Sequence, residues 1–328
     1  MAGGKWVKKK IAVREHPRKL GRSGCSQQNT KRRFEMNGRI KQGKWLIFLV
    51  VTAVILSIGA GSEAKDWKKV RIGTEGAYAP WNFMDASGKL AGFEIDLGNE
   101  LCRRMNVECE WVAQEWSGII PGLNAGKYDL IMASFGLTEK RKDVLSFSNF
   151  YAYQSSKFAV LKSNPLAKSV QDSNAMVDLD NMNPESQKAI DELKKALSGK
   201  AIGAQTGTNQ FRFLDAYFKD IAEIRDYKTA EQTDLDLSAG RIDALLVSTT
   251  YLKPLMATDK GKDLALIGPF FRGKYFPIGN AAVFRKDQDK ELVQMFNVAL
   301  EAAIKDGTVS KLSLKWFKYD VMEKPKGN

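Results

Sequence analysis

Apolar and polar positions alternate along residues 65–328 with two periods, and the periods take turns. Lys69 to Thr74 predicts an opening strand, followed by a loop from Glu75 to Trp81. Ile95, Leu97, Leu101 and Met105 recur at helical spacing with charges between them, which predicts a helix over 93–106. A strand over 107–112 follows, then a short helix over 117–124 with Ile119, Ile120 and Leu123 facing inward. The run YDLIMA (128–133) is apolar apart from Asp129, the pattern of a strand buried on both faces. This alternation predicts an α/β domain with a largely parallel sheet. The β-prone stretch 147–161, with its alternating aromatics, is expected to carry the chain out of this first lobe. Residues 163–200 are polar and helix-prone, and Pro184-Glu185 opens a helix running to Leu197. Strand, loop and helix then reappear at 201–204, 205–209 and 210–218. The segment AGRIDALL (239–246) echoes AGKYDLIM (125–132), so two lobes built on one plan are expected. Helices over 291–304 and 308–317, separated by Asp306-Gly307, close the chain.

Length and composition agree with this division. The 328 residues leave room for two domains, and 44% hydrophobic with 27% charged residues is a globular composition. A formal net charge of +13 raises the prospect of nucleic-acid binding, but the charge is unevenly spread. Residues 1–64 hold 14 Lys/Arg against 3 Asp/Glu, and the rest hold 37 against 35. The folded part is therefore nearly neutral, and no nucleic-acid partner is expected.

The basic N-terminal extension has its own logic. Trp45 to Ile58 is uncharged, follows Arg39, Lys41 and Lys44, and leads to small residues ending in Ser62-Glu63-Ala64. This is the pattern of a secretory signal peptide cleaved after Ala64. The run is short of the roughly 20 residues that span a bilayer. No cysteine follows it to carry a lipid anchor, and Phe34-Glu35-Met36 is the wrong sequel to Arg32-Arg33 for a twin-arginine signal. Met36 by itself heads a signal peptide of normal length, so residues 1–35 are set aside as an overlong start.

Cysteine and histidine usage narrows the chemistry. Cys25 lies in the extension; Cys102 and Cys109 lie in CRRMNVECEWV, and in an exported protein such a pair reads as a disulfide rather than two buried thiols. The only histidine is His16, in the extension. Residues 65–328 thus lack the means for Ser-His-Asp or Cys-His catalysis and for histidine-based metal sites. No metal and no cofactor are expected.

Five segments then become specific in order: VRIGTEGAYAPWNF (70–83), GFEIDLGNELCRRMNVECEWV (92–112), 127–147 ending in TEKRKDVLSF, AGRIDALL (239–246) and DGTVSKLSLKWF (306–317). Together they resemble the polar amino-acid branch of the periplasmic solute-binding proteins, and within it the lysine/arginine/ornithine and opine binders. The insertion DLDNMNPESQKAIDEL (178–193) and the ending SLKWFKYDV (313–321) are most similar to the opine members. The resemblance implies the two-lobed type II periplasmic binding protein fold, an α/β fold whose lobes are mainly parallel sheets flanked by helices and joined by two hinge strands. It implies residues 65–154 as lobe 1, 155–275 as lobe 2, and 276–328 completing lobe 1, after an extension of residues 1–64. Cys102 and Cys109 fall on that family's disulfide.

The resemblance also implies a ligand-binding set. Arg141 matches the arginine that holds the ligand's α-carboxylate beside Ala133 and Ser134, a task suited to a guanidinium fork. Gln205, Thr208, Asn209 and Gln210 stand where a TGT turn opens a helix whose free N–H groups offer a second anion site. Tyr78 and Trp116 match the aromatics that clamp the side chain, and Glu75 the acid that faces its distal cation. Two positions depart from the basic amino-acid binders. Ser248 replaces the aspartate that meets the α-ammonium, and Gly136 replaces a serine, which is expected to leave room for a substituent. Glu75, Gly136 and Ser248 together favour an arginine-derived opine of the octopine or nopaline kind, with free arginine, ornithine or lysine as the alternative. The implied partner is an inner-membrane ABC permease, the implied location the periplasm, and the implied state a monomer. An enzyme reading also exists, because periplasmic dehydratases such as cyclohexadienyl dehydratase use this fold with carboxylate chemistry. Against it, no second acid is evident in the sequence beside Glu75. A sensor domain would require an output domain on a partner chain.

Overall fold

In a computed structural model of the chain, residues 67–277, 279–286 and 290–324 are described. The expected signal peptide, its cleavage after Ala64, Cys25 and His16 lie outside these residues. Two sheets organise the remainder, each with its own core.

The first sheet has the strand order β5-β1-β6-β14-β7. Here β1 is Lys69–Thr74, β5 is Glu108–Ala113, β6 is Leu130–Ile131, β7 is Leu145–Tyr153 and β14 is Gly279–Arg285. β1 runs parallel to β5 and β6, whereas β14 runs antiparallel to β6 and β7. A small sheet of β2 (Ala77–Tyr78), β3 (Asn82–Met84) and β4 (Leu90–Ala91) sits on the loop after β1. Its hairpins were not legible, since strands of two or three residues carry no period. The helix Phe93–Met105 buries Phe93, Ile95, Leu97 and Leu101, the face expected from their spacing. Cys102 at its end is disulfide-bonded to Cys109 in β5, with Cα atoms 5.9 Å apart. Phe284, Phe296 and Phe317 join the same core, so the C-terminal helices Lys290–Lys305 and Thr308–Phe317 pack on the first lobe.

The second sheet has the order β11-β10-β12-β8-β13-β9. β8 is Ser156–Leu161, β9 Asp172–Asp178, β10 Ala201–Gln205, β11 Glu223–Tyr227, β12 Ala244–Ser248 and β13 Leu264–Arg272. β10 is parallel to β11 and β12, and β8 is antiparallel to β12 and β13. The stretch 147–161 therefore divides between lobes: β7 belongs to the first sheet and β8 to the second, with Gln154 and Ser155 between them. The chain returns from β13 to β14. These two crossings are the hinge connections, and each parallel core acquires antiparallel neighbours from them. The helix-prone stretch 163–200 also contains β9, which pairs with β13. Only Val177 among its residues DSNAMVD is fully buried at this sheet edge, so alternation gives no signal there. Pro184–Leu197 is the expected helix, and Asn183 caps it by accepting from Ser186 N–H at 2.7 Å.

Candidate ligand-binding cleft between two lobes

The strands point their C-terminal ends at a cleft between the lobes, and the expected ligand residues other than Ser248 line it. Lobe 1 supplies Glu75, Tyr78, Trp116, Ala133, Ser134, Gly136 and Arg141. Lobe 2 supplies Gln205, Thr208, Asn209 and Gln210.

Arg141 follows β6 through a short loop and lies in the helix Glu139–Lys142. It is 5% exposed, and its guanidinium sits 4.1 Å from the centre of the Phe135 ring and 5.8 Å from that of Trp116. Nη1 donates to the Gly136 carbonyl at 2.8 Å, while the buried Nε–H has no acceptor. Among the described residues no carboxylate pairs with it. Burial, with nearby Arg212, pushes its pKa down to about 9.

Ser134 lies beside it in a left-handed conformation, φ 49°. Its N–H donates to Glu94 Oε1 at 2.7 Å, and its hydroxyl accepts from Asn280 Nδ2 at 3.0 Å. Glu94 is fully buried and also accepts from Asn82 Nδ2 and the Tyr151 hydroxyl; burial raises its pKa to about 7. The GFEIDL motif thus contributes a carboxylate that fixes the backbone beside Arg141. On the facing lobe, Thr208 caps the helix Asn209–Tyr217 by accepting from Phe211 N–H at 3.2 Å. The N–H groups of Asn209 and Gln210 begin that helix with no acceptor inside it. Gly207, at φ 73°, lets this turn approach Trp116; a β-carbon there would lie 3.7 Å from the indole nitrogen.

The far end of the cleft is acidic. Glu75 follows β1 and accepts from Gln205 Nε2 across the cleft. Burial raises its pKa to about 7 although that hydrogen bond opposes it. Tyr78 stacks on Tyr251 with ring centres 4.6 Å apart and planes 15° from parallel, and Trp81 Nε1 donates to Thr250 Oγ1 at 3.2 Å. These three contacts join the lobes.

Ser248 caps the helix Thr249–Met256, accepting from Thr250 N–H at 3.3 Å, and it also meets the hydroxyl of Tyr78, which lines the cleft. One expectation about the departures needs correcting: Gly136 does not leave free room on its side-chain face. A β-carbon built there would lie 2.2 Å from Pro277 Cγ and 2.9 Å from Gln154 Nε2. A further carboxylate, Asp234 in the helix Ala230–Ser238, also lines the cleft. No motif marks it. Its signal was an acid interrupting a helix face beside Thr233, which counts for little without knowledge of what that face meets. Its presence removes the objection that Glu75 has no acidic companion.

Comparison with known proteins follows the same lines. Residues 70–319 match the model of the bacterial extracellular solute-binding proteins, family 3, and the chain belongs to that family. It is 40% identical over 289 residues to the octopine-binding periplasmic protein of Rhizobium meliloti, covering 83% of this chain and 97% of that one. It is 35% identical over 273 residues to the lysine/arginine/ornithine-binding periplasmic protein of Escherichia coli, covering 81% and 94%. Among solved structures, an ancestral arginine-binding protein bound to arginine matches with TM-score 0.62 and 26% identity, over 76% of this chain and 98% of that one. The relatives are binding proteins rather than enzymes, and the chain is a solute-binding protein with the type II periplasmic binding fold. Among the described residues no cluster of potential metal ligands occurs, and no helix is long and apolar enough to cross a membrane.

Proposed function

We propose that this protein captures an arginine-derived opine of the octopine kind in the periplasm and delivers it to an ABC permease of the inner membrane. Residues 65–154 with 276–328 form lobe 1 and residues 155–275 form lobe 2, closing on the ligand by hinge motion as a monomer. The observation that carries the reading is Arg141, a buried guanidinium with an unused N–H and no carboxylate partner among the described residues. It receives the α-carboxylate, with the Asn209 and Gln210 amides approaching the same anion from lobe 2. Tyr78 and Trp116 flank the stem, and Glu75 meets the distal cation. The 40% identity to an octopine-binding protein supports the opine.

Free arginine is the second reading, favoured by Pro277 filling the face of Gly136 where an added arm was expected. Titration calorimetry with octopine, arginine and glutamate tests both. Tight binding of octopine with weaker arginine is the expected result. Arginine bound tightly with octopine ignored selects the second reading, and preference for glutamate overturns both. Turnover of prephenate would instead assign Glu75 and Asp234 to acid–base work.

A further inference from the structure

Asp234 is the one acid of the cleft that neither motif nor resemblance singles out. It lies in the interior of the helix Ala230–Ser238, where aspartate is an unfavourable residue. Its Oδ2 accepts from the Tyr251 hydroxyl. Its Oδ1 is shut off from solvent and has no partner among the described residues. A buried carboxylate oxygen without a donor is costly, and in native proteins it has a reason. Tyr251 in turn stacks on Tyr78, and the Tyr78 hydroxyl lies within electrostatic reach of both Glu75 and Asp234. Glu75 belongs to lobe 1 and Asp234 to lobe 2, so the tyrosine pair has one carboxylate from each lobe beside it. Exposed Glu231 adds negative potential to both. The acidic end of the cleft is therefore contributed by both lobes.

We propose that Asp234 is a second carboxylate for the ligand's distal cation, supplied by lobe 2 opposite Glu75 of lobe 1; this rests on the cationic-ligand reading above. A guanidinium has donors enough for both acids, and an ammonium can serve both as well. A cation gripped from both sides favours the closed form specifically, because only closure gives it the second carboxylate. Arg141 and the Asn209–Gln210 amides treat the ligand's anion in the same way, so each end of the ligand is held by both lobes. Burial keeps Asp234, like Glu75, at a pKa of about 7, consistent with a group whose counter-charge arrives with the ligand.

Calorimetry with matched pairs tests this: arginine against citrulline, and octopine against the same opine built on citrulline, in which an uncharged urea replaces the guanidinium. For wild type, the cationic member of a pair should bind better by about a hundredfold. Asp234→Asn should lower cationic affinity by about ten- to a hundredfold and change the neutral member by less than about threefold, the neutral ligand also reporting that the cleft is intact. If Asp234→Asn binds the cation as wild type does while Glu75→Gln loses it, the second carboxylate is overturned and the cationic reading stands. If Asp234→Asn weakens both members equally, Asp234 only props Tyr251, and the proposal is again overturned. If wild type binds neutral and cationic members alike, the cationic reading itself fails and the proposal with it.

Discussion

Residues 125–132 and 239–246 run the same course in the two lobes. In each, a helix ends at an alanine, a glycine turns the chain at positive φ (Gly126 at 71°, Gly240 at 68°), and an aspartate precedes an interior strand. Asp129 accepts from the N–H of Arg71 at 2.9 Å, and Asp243 from that of Ala201 at 3.0 Å, so each acid ties its unit to the neighbouring strand of its sheet. Beyond that shared bond the lobes diverge. Asp129 is buried and gripped by the guanidinium of Arg71 at 2.8 Å, with Arg285 at 3.7 Å. Burial works to raise its pKa, and the two arginines more than offset this, holding it below the usual carboxylate value. Asp243 is half-buried, with the Asn164 amide at 3.4 Å and the ammonium of Lys200 at 3.8 Å. After the strands, lobe 1 proceeds to Ser134 and Arg141, whereas lobe 2 proceeds to Ser248, which caps a helix. The repeated unit builds the sheets; the chemistry lies in what each lobe adds after its strand.

The largest test of this division is Arg141→Ala. It should cost about 2–5 kcal/mol of binding for octopine and arginine alike, because both present a carboxylate there. The melting temperature of the ligand-free protein should hold or rise, since the change removes a buried cation that no carboxylate among the described residues neutralises. An Arg141→Ala variant that binds like wild type would put the anion elsewhere.

Next come the paired aspartates. Asp129→Ala should destabilise folding by about 2–3 kcal/mol, for it removes the buried carboxylate to which both the backbone N–H and the guanidinium of Arg71 donate. Asp243→Ala should cost only about 1 kcal/mol, the value of one backbone hydrogen bond and a wet ion pair. Denaturant unfolding of both variants decides the matter, and equal losses would erase the distinction between the lobes. The disulfide sharpens the comparison further, because all cysteines beyond Cys25 lie in lobe 1. Reducing it should cost about 2 kcal/mol, given its short loop. Hydrogen exchange should then quicken in β5 and the helix Phe93–Met105 and leave lobe 2 unchanged.

The last effect is that of pH. Glu75 and Asp234 keep their protons in the ligand-free fold up to about pH 7, while the unfolded chain loses them in the ordinary carboxylate range. Their contribution to stability therefore falls as pH rises toward 7 and is flat above it. A cationic ligand requires them ionised, so its affinity should weaken below pH 7, by about tenfold at pH 6 for each acid that must release a proton. Titration at pH 6 and 8 in Asp234→Asn and Glu75→Gln assigns the protons. A pH-independent affinity in wild type would mean that neither acid meets a cation.

Local sequence carried much of the architecture. The spacing of Ile95, Leu97 and Leu101 placed a helix and its buried face, Asp306-Gly307 separated the closing helices, and the AGKYD/AGRID echo announced two lobes on one plan. Those are short-range properties, written in the period of a single element. The motif TEKRKDVLSF likewise singled out Arg141, but its burial, its unused N–H and its lack of a carboxylate came only from the folded chain. The same limit explains the errors. Gly136 reads as open space until Pro277, distant in sequence, is brought against it, and β9 lies in a stretch that reads as helix-prone because an edge strand with little burial imposes no alternation. Asp234 is one more acid on a short helix until folding sets its carboxylate under Tyr251, seventeen residues on, in a cleft facing Glu75 of the other lobe. What the sequence determined by itself was which of the longer periodic elements form and which family they compose. What only the tertiary structure decided was which charges end up buried without partners, because burial and pairing depend on groups that the chain brings together from far apart.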